Sequence, residues 1–482
     1  MRSMRHHPPG QNRWEQNKVA WLLGVSLWTL AGCTVGPNYH APQTTLPSSW
    51  QGVATNKNPD LSFSIPTLQS AAMTNWWAVF RDSSLDALIA RAVVANLDLK
   101  QAGSRIRQAR AQRGILTAGF WPSVDASGAY RDSRQSGAGM PNVNLYQAGL
   151  DASWELDFFG GTRREVEAAD SDITASIEDR REVLVTLVAE VAMNYINLCG
   201  IQQQIMIAKE NLEAQRHSVE LTRQLFRGGF KSKLDVANAE AQVATTQAQI
   251  PVLEATARQT MYSLSVLLAL DPSALVDELS KVTPIPLMPP EVPAGLPSDL
   301  LRRRPDIRRA EALLHGATAR TGVATADLFP KFSLTGSLGV SNTKSASLVS
   351  WDNRFYSVGP TVTWAVFHAG AIRANIKVQN ELEEQSLLNY QKTVLAALSE
   401  VESTLVAYVK EQQHRQALAE AVSANREAVS LATQLYTQGQ TDFLSVLIAQ
   451  RSLFASQDSL VQSERSVATD LVALYKALGG GW

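Results

Sequence analysis

A block of about 125 residues, Leu145 to Leu270, recurs roughly 210 positions further along the chain. A duplication of that length restricts the fold to two like units before any local reading begins. The block opens with period-two alternation. Ala148, Leu150, Ala152, Trp154, Leu156 and Phe158 fall on one face of an extended chain, and Gln147, Gly149, Asp151, Ser153, Glu155 and Asp157 on the other. Held for about a dozen residues, this is the length of a tilted strand crossing a bilayer. Gly160 and Gly161 stop it. A proline-free helical pattern then runs from Thr162 to Phe226, with Val191, Leu198, Ile205, Leu212, Val219 and Phe226 spaced by seven, a coiled-coil seam. Arg227-Gly228-Gly229-Phe230 breaks this helix, and a second one returns from about Ser232 to Leu270.

In the second copy, Gly359, Thr361 and Thr363 alternate with Val358, Val362, Trp364 and Val366, and Gly370 takes the place of Gly161. The seam reappears as Val394, Val401, Tyr408, Arg415, Val422, Val429 and Tyr436, with Arg415 where the first copy has Ile205. Gly439 repeats Gly229, and Leu444 and Val446 repeat Leu234 and Val236. Each copy is preceded by a helix and a strand. Asp82-Ser83-Ser84 is a good N-cap for a helix from about Ser84 to Ala118. Trp121-Pro122 ends that helix, and a strand follows with Val124, Ala126, Gly128 and Tyr130 on one face. In the second half a helix opens at Asp299 and ends at Phe329-Pro330, before a strand with Phe332, Leu334, Gly336, Leu338 and Val340. Each half thus reads helix, strand, loop, strand, long helix, Gly turn, helix. At about 1.5 Å per residue the long helix reaches ~100 Å, and the two shorter helices stack end to end beside it.

Four strands cannot close a barrel, and an open sheet edge cannot sit in hydrocarbon. The chain is therefore expected to oligomerise to eight, twelve or sixteen strands, the more so because the helix seams are expected to lack partners inside one chain. If the apolar strand face meets lipid, Asp151, Glu155, Asp157, Thr361 and Thr363 face an aqueous pore.

The 482 residues carry a net charge of −1 without a basic block, which argues against nucleic acid. There is no Walker A loop, His-Glu-x-x-His, nucleophile elbow or paired-cysteine site, so neither an enzyme nor a cofactor is expected. Arg2, Arg5, Arg13 and Lys18 precede an apolar run, Val19 to Leu30, too short to span a bilayer as a helix. Leu30-Ala31-Gly32-Cys33 resembles a bacterial lipobox, in which Cys33 receives S-diacylglycerol and an N-palmitoyl chain. The alternative is a buried cysteine closing a membrane anchor. The expected organisation is a signal peptide (1–32), a lipidated extended tether on the surface (33–80), a first repeat (81–280), a Pro-rich linker (281–297) and a second repeat (298–482).

Several motifs together carry a resemblance over the whole mature chain. They are Val35-Gly36-Pro37-Asn38-Tyr39 after the lipobox, Trp76-Trp77-Ala78-Val79-Phe80 before the first helix, Arg303-Arg304-Pro305-Asp306-Ile307 with Ala310-Glu311, and Leu328-Phe329-Pro330. With the duplication they resemble the outer-membrane factors of bacterial tripartite efflux pumps, the TolC and OprM type, in the lipoprotein branch that includes NodT. The resemblance implies a mixed α and β membrane protein. It would be a homotrimer with one twelve-stranded outer-membrane β-barrel, continued by a long periplasmic α-helical barrel. It implies a passive exit duct for drugs or other small toxic compounds, working with a periplasmic adaptor and an inner-membrane RND-type transporter. The tips at Gly228, Gly229 and Gly439 would contact the adaptor. A periplasmic gate would be formed by an apolar ring of Leu444 with Tyr436, Thr441 and Asp442; Ile448 stands where relatives often carry an acid. Protein or polysaccharide secretion, and a coiled-coil structural lipoprotein without a pore, are the competing readings.

Overall fold

The computed structural model describes residues 34–44, 46–51, 65–67, 73–134, 142–286, 289 and 291–482; the signal segment and Cys33 lie outside the described residues. In chain order the elements are β1 (Ile65–Thr67), α1 (Ser83–Ala95), α2 (Leu97–Thr117), β2 (Ser123–Ser133), β3 (Val143–Leu156), α3 (Gly161–Arg227), α4 (Lys233–Leu267), β4 (Glu291–Pro293), α5 (Pro305–Ala326), β5 (Lys331–Asn342), β6 (Arg354–Thr363), α6 (Ala371–Thr437) and α7 (Phe443–Ala477). The chain forms two compact units. One comprises Arg107–Thr174, Glu311–Leu388 and the described part of Met1–Pro42; the other comprises the described parts of Gln43–Ile106, Ala175–Ala310 and Asn389–Trp482.

In the long and returning helices the duplication holds to the residue. α3 and α6 have 67 residues each, α4 and α7 have 35, and equivalents lie 210 apart. Gly160 (φ +79°) and Gly370 (φ +85°) immediately precede the long helices. The glycine needed at that left-handed position is thus Gly160, and Gly370 matches it rather than Gly161. Both opening helices are interrupted, where a continuous one was expected. At Asn96 the backbone turns extended (ψ 135°), and its Oδ1 accepts from Leu99 N at 3.0 Å, capping α2 afresh. At Arg304 the following Pro305 forces the extended conformation (ψ 119°) and starts α5 at its first position.

The first unit holds one four-stranded antiparallel sheet in the order β2-β3-β5-β6. β3 ends at Leu156 and β6 at Thr363, so Asp157, Phe158, Trp364 and Val366 are not strand residues. Asp157 instead caps α3: its carboxylate accepts from Thr162 N (3.2 Å) and Arg163 N (3.0 Å) and pairs with the Arg163 guanidinium at 3.2 Å.

The second unit is helical around one large core drawn from α1, α3, α4, α6 and α7. The seam residues Val191, Leu198, Leu212 and Val219, and Val394, Val401, Tyr408, Val422 and Tyr436, are buried within this single chain. That corrects the expectation of unpartnered seams: the buried members of both rows pack within their own chain, while Phe226, which closes the first row, is 42 % exposed. Apolar side chains left exposed, such as Leu395, Val406, Leu431 and Leu435 on α6, lie outside the buried seam. β1 and β4 form a two-stranded parallel pair with Ile65 opposite Glu291, an element the proline-rich sequence around both did not announce. The tether is not wholly superficial either. Trp50 is 1 % exposed, and its indole N–H donates to Gly295 O at 3.0 Å.

Candidate functional site

The sheet has two chemically opposite faces. Residues paired across antiparallel strands point the same way, so the register sorts every side chain. Asp151 lies opposite Asp125 on β2 and Ser337 on β5; Glu155 is opposite Ser333, which faces Thr361; Thr363 is opposite Lys331. Four of the predicted pore residues, Asp151, Glu155, Thr361 and Thr363, therefore share one face with Ser127, Ser153, Thr335 and Ser357. Ser127 Oγ donates to Asp151 Oδ2 at 3.0 Å across this face. The other face carries Val124, Leu150, Leu334, Leu338, Tyr356, Val358 and Val362, all exposed. An exposed apolar sheet face of this extent has no stable place in water.

Aromatic residues mark both ends of that apolar face. At one end Tyr130 and Tyr146 meet with ring centroids 4.9 Å apart and planes tilted by 35°. At the other, Trp154 Nε1 donates to Phe120 O at 2.9 Å, and its repeat equivalent Trp364 donates to Leu328 O at 3.1 Å. Amphipathic rings at two levels of a strand face are the pattern of a membrane girdle.

The segment following Cys33 is fastened at the Trp end of this sheet. Val35 N–H donates to Phe159 O at 3.1 Å, and a Cβ on Gly160 would strike Thr34 at 2.8 Å. The buried Arg164 guanidinium donates to Val35 O (3.3 Å) and Asn38 Oδ1 (2.6 Å) and pairs with Glu167 at 2.8 Å. Tyr39 stacks on His315 at 4.5 Å and donates to Glu311 at 3.2 Å. Gly36, at φ +88°, leaves no room for a Cβ beside Gly322, at 2.5 Å. Each residue of the Val-Gly-Pro-Asn-Tyr motif except the proline thus has a visible partner or steric reason.

In the second unit the two Gly turns are built alike. After α3, Gly229 N donates to Phe226 O and Phe230 N to Leu225 O; after α6, Gly439 N donates to Tyr436 O and Gln440 N to Leu435 O. This is the Schellman closure, which needs a left-handed residue, and Gly229 (φ +76°) and Gly439 (φ +74°) supply it. Nothing lies within 4 Å of a Cβ at either, so the requirement is conformational and not spatial. Gly228 differs: a Cβ there would meet the Phe230 ring at 2.8 Å. Both returning helices are capped, α4 by Ser232 in a capping box with Asp235, and α7 by Asp442, whose carboxylate accepts from Ser445 N at 3.1 Å.

The turns are tied together. Lys231 Nζ donates to Thr441 O at 3.1 Å and lies 4.5 Å from the centre of the Tyr436 ring. Tyr436 packs edge-on against Phe443 at 5.5 Å in a small core with Val219, Ala239, Val446 and Leu447; burial raises its phenol above the usual tyrosine range. Thr441 Oγ1 donates to Ser445 Oγ at 3.0 Å. Of the predicted gate residues, Tyr436 is thus interior to its own subunit, whereas Leu444 is 54 % exposed and Ile448 beside it 56 %. Leu234, the equivalent of Leu444, is also exposed.

Elsewhere, Cys199 is buried, and burial, then Asp82, push its thiol up to about 12, so it holds no reactive thiolate. Arg415 lies near Glu464 and opposes the rise that burial imposes on that carboxyl. Among the described residues no cluster of His, Cys, Asp and Glu could hold a metal.

A two-faced sheet whose edge strands are unpaired among the described residues, in one chain with duplicated long helical hairpins, has the build of an outer-membrane channel. The family model for outer membrane efflux proteins matches residues 88–270 and 296–480. The chain is 34 % identical over 470 residues to the antibiotic efflux pump outer membrane protein ArpC of Pseudomonas putida, covering 95 % of each. It is 31 % identical over 456 residues to nodulation protein T of Rhizobium leguminosarum bv. trifolii, covering 94 % of this chain and 95 % of that one. A solved structure of the outer-membrane channel OprN superposes with a TM-score of 0.85 at 36 % identity, covering 93 % of this chain and all of that one. The chain belongs to the outer membrane efflux protein family. It is an outer-membrane channel subunit of a tripartite efflux pump.

Proposed function

We propose that three copies close one twelve-stranded barrel through their sheet edges, and that the duplicated helical hairpins of the three continue it as an α-helical barrel in the periplasm. The observation that carries this is the sheet: one polar face, one exposed apolar face, and β2 and β6 at edges without a partner strand among the described residues. An open edge in hydrocarbon leaves every second backbone group unsatisfied, at several kcal/mol each. Closure with other copies removes that cost and turns Asp151, Glu155, Thr361 and Thr363 inward. The duct serves small toxic compounds such as antibiotics, as the names of relatives including ArpC suggest, and an inner-membrane RND-type transporter supplies the energy. A periplasmic adaptor docks at the Gly229 and Gly439 tips and opens the Leu444 constriction. Native mass measurement of detergent-solubilised protein is expected to give a trimer that conducts ions in a planar bilayer. A stable conducting monomer would remove the ring.

Cys33 carries the lipid. The residues after it are pinned to Phe159, Gly160 and Arg164, at the end of β3 that bears Trp154. Thr34, the residue after it, is thereby held at the level where the apolar face ends. Three acyl chains anchor stably, since two already suffice. A Cys33→Ser protein is expected to lose all palmitate labelling and to keep its signal peptide; persistent label would place the lipid elsewhere.

A further inference from the structure

We propose the register in which one copy meets the next: β6 pairs with β2 of the neighbouring copy as β3 pairs with β5 inside the chain, with Thr361 opposite Ala129 and Ser357 opposite Ser133. This rests on the ring reading above and adds to it the pairing that joins the copies. The two hairpins are duplicates in fine detail. Ser123 opposite Ser153 in the first becomes Lys331 opposite Thr363 in the second, which places equivalents 208 residues apart on the leading strands and 210 apart on the following strands. The indole bonds repeat with the same offsets, Trp154 to Phe120 and Trp364 to Leu328.

The β3–β5 seam joins the following strand of one repeat to the leading strand of the next. At a subunit boundary the same two kinds of strand meet, β6 being a following strand and β2 a leading one. Moving the observed pair Asp151–Ser337 by the two offsets gives Thr361–Ala129, and moving Gln147–Ser341 gives Ser357–Ser133. The faces agree, since all four residues lie on the polar side of the sheet. A slip of one residue would set polar positions against the apolar face. A slip of two keeps the faces, but it gives the boundary strands a different stagger from those inside each chain, and in a closed barrel stagger and tilt are linked. Six equivalent repeats share one tilt only if every seam uses the same register.

Cysteines at the paired positions read this out. Residues 129 and 361 of one chain sit on opposite edges of its sheet, at least three strand spacings or ~14 Å apart. A disulfide needs Cα atoms within ~7 Å, so any bond between them joins two copies. The full-length Ala129→Cys/Thr361→Cys protein, oxidised in membranes and run on a non-reducing denaturing gel, is expected to shift to three times the monomer mass. Ser133→Cys/Ser357→Cys tests the same register independently and is expected to shift likewise. Ser127→Cys/Thr361→Cys and Arg131→Cys/Thr361→Cys, slipped by two in either direction, are expected to stay at monomer mass. Bonding in a slipped pair in place of the registered ones overturns the proposal, as does failure of both registered pairs in protein that is trimeric by native mass. Monomeric wild type would instead fail the ring itself.

Discussion

Arginine at Leu338 is expected to abolish stable insertion, whereas arginine one residue earlier, at Ser337, leaves a membrane-embedded protein. Leu338 is 58 % exposed on the apolar face and pairs with Leu150 and Tyr356, about midway between the Tyr130–Tyr146 end and the Trp154 end. A charge facing lipid at mid-depth costs about 2–4 kcal/mol, and the ring repeats that cost in every copy. Ser337 points to the face of Asp151 and Asp125, where water solvates a guanidinium. The measurement is the trimer content of purified outer membranes, with thermal unfolding of what inserts. If Leu338→Arg and Ser337→Arg insert equally well, the apolar face does not meet lipid.

The alternation around Asp151 and Trp154 placed β3 and β6 because period two survives wherever one face is buried or lipid-facing. Its ends were not legible: Asp157 and Trp364 continue the alternation by composition, yet lie past the last ladder bond. The Asp82 cap and the turn glycines were legible, since Asp82, Gly229 and Gly439 act through local geometry, whereas Ser232 and Asp442 were not read as the caps they are. Asn96 was missed because one asparagine in a helical pattern does not reveal that its side chain will cap the next turn. Arg304-Pro305 carried the break openly, as proline restricts the residue before it, and was read through. The heptad seams located apolar stripes correctly and misled about their partner, because spacing says that a helix packs but not against which chain. The parallel β1–β4 pair and the burial of Trp50 depend on contacts between residues 226 and 245 positions apart, which no local pattern encodes. At the tips, the sequence reading put Tyr436 in the gate beside the Leu444 ring; packing sets the buried phenol apart from the exposed leucine.

That separation makes the last test discriminating. α7 begins at Phe443, and its first turns bury Phe443, Val446 and Leu447 against the small core of the tip. Leu444 and Ile448, four apart, are left together on the exposed side. The equivalent positions on α4 are Leu234 and Asn238, so the second hairpin presents the larger apolar surface at its tip. Three such surfaces brought to a narrow axis exclude ions by dewetting; one hydroxyl per copy rewets the neck. The Leu444→Ser protein is therefore expected to show a markedly larger single-channel conductance at rest. Cells carrying it are expected to admit large antibiotics that normally stay outside, even with the pump deleted. Leu234→Ser, at a still more exposed leucine and equally mild, is expected to keep the wild-type conductance. Thr441 and Asp442 are unchanged in both variants, where their bonds to Ser445 hold the α7 cap. Wild-type conductance in Leu444→Ser at normal trimer content would reject the gate, and equal opening by both variants would show loosened tips instead of a ring at Leu444.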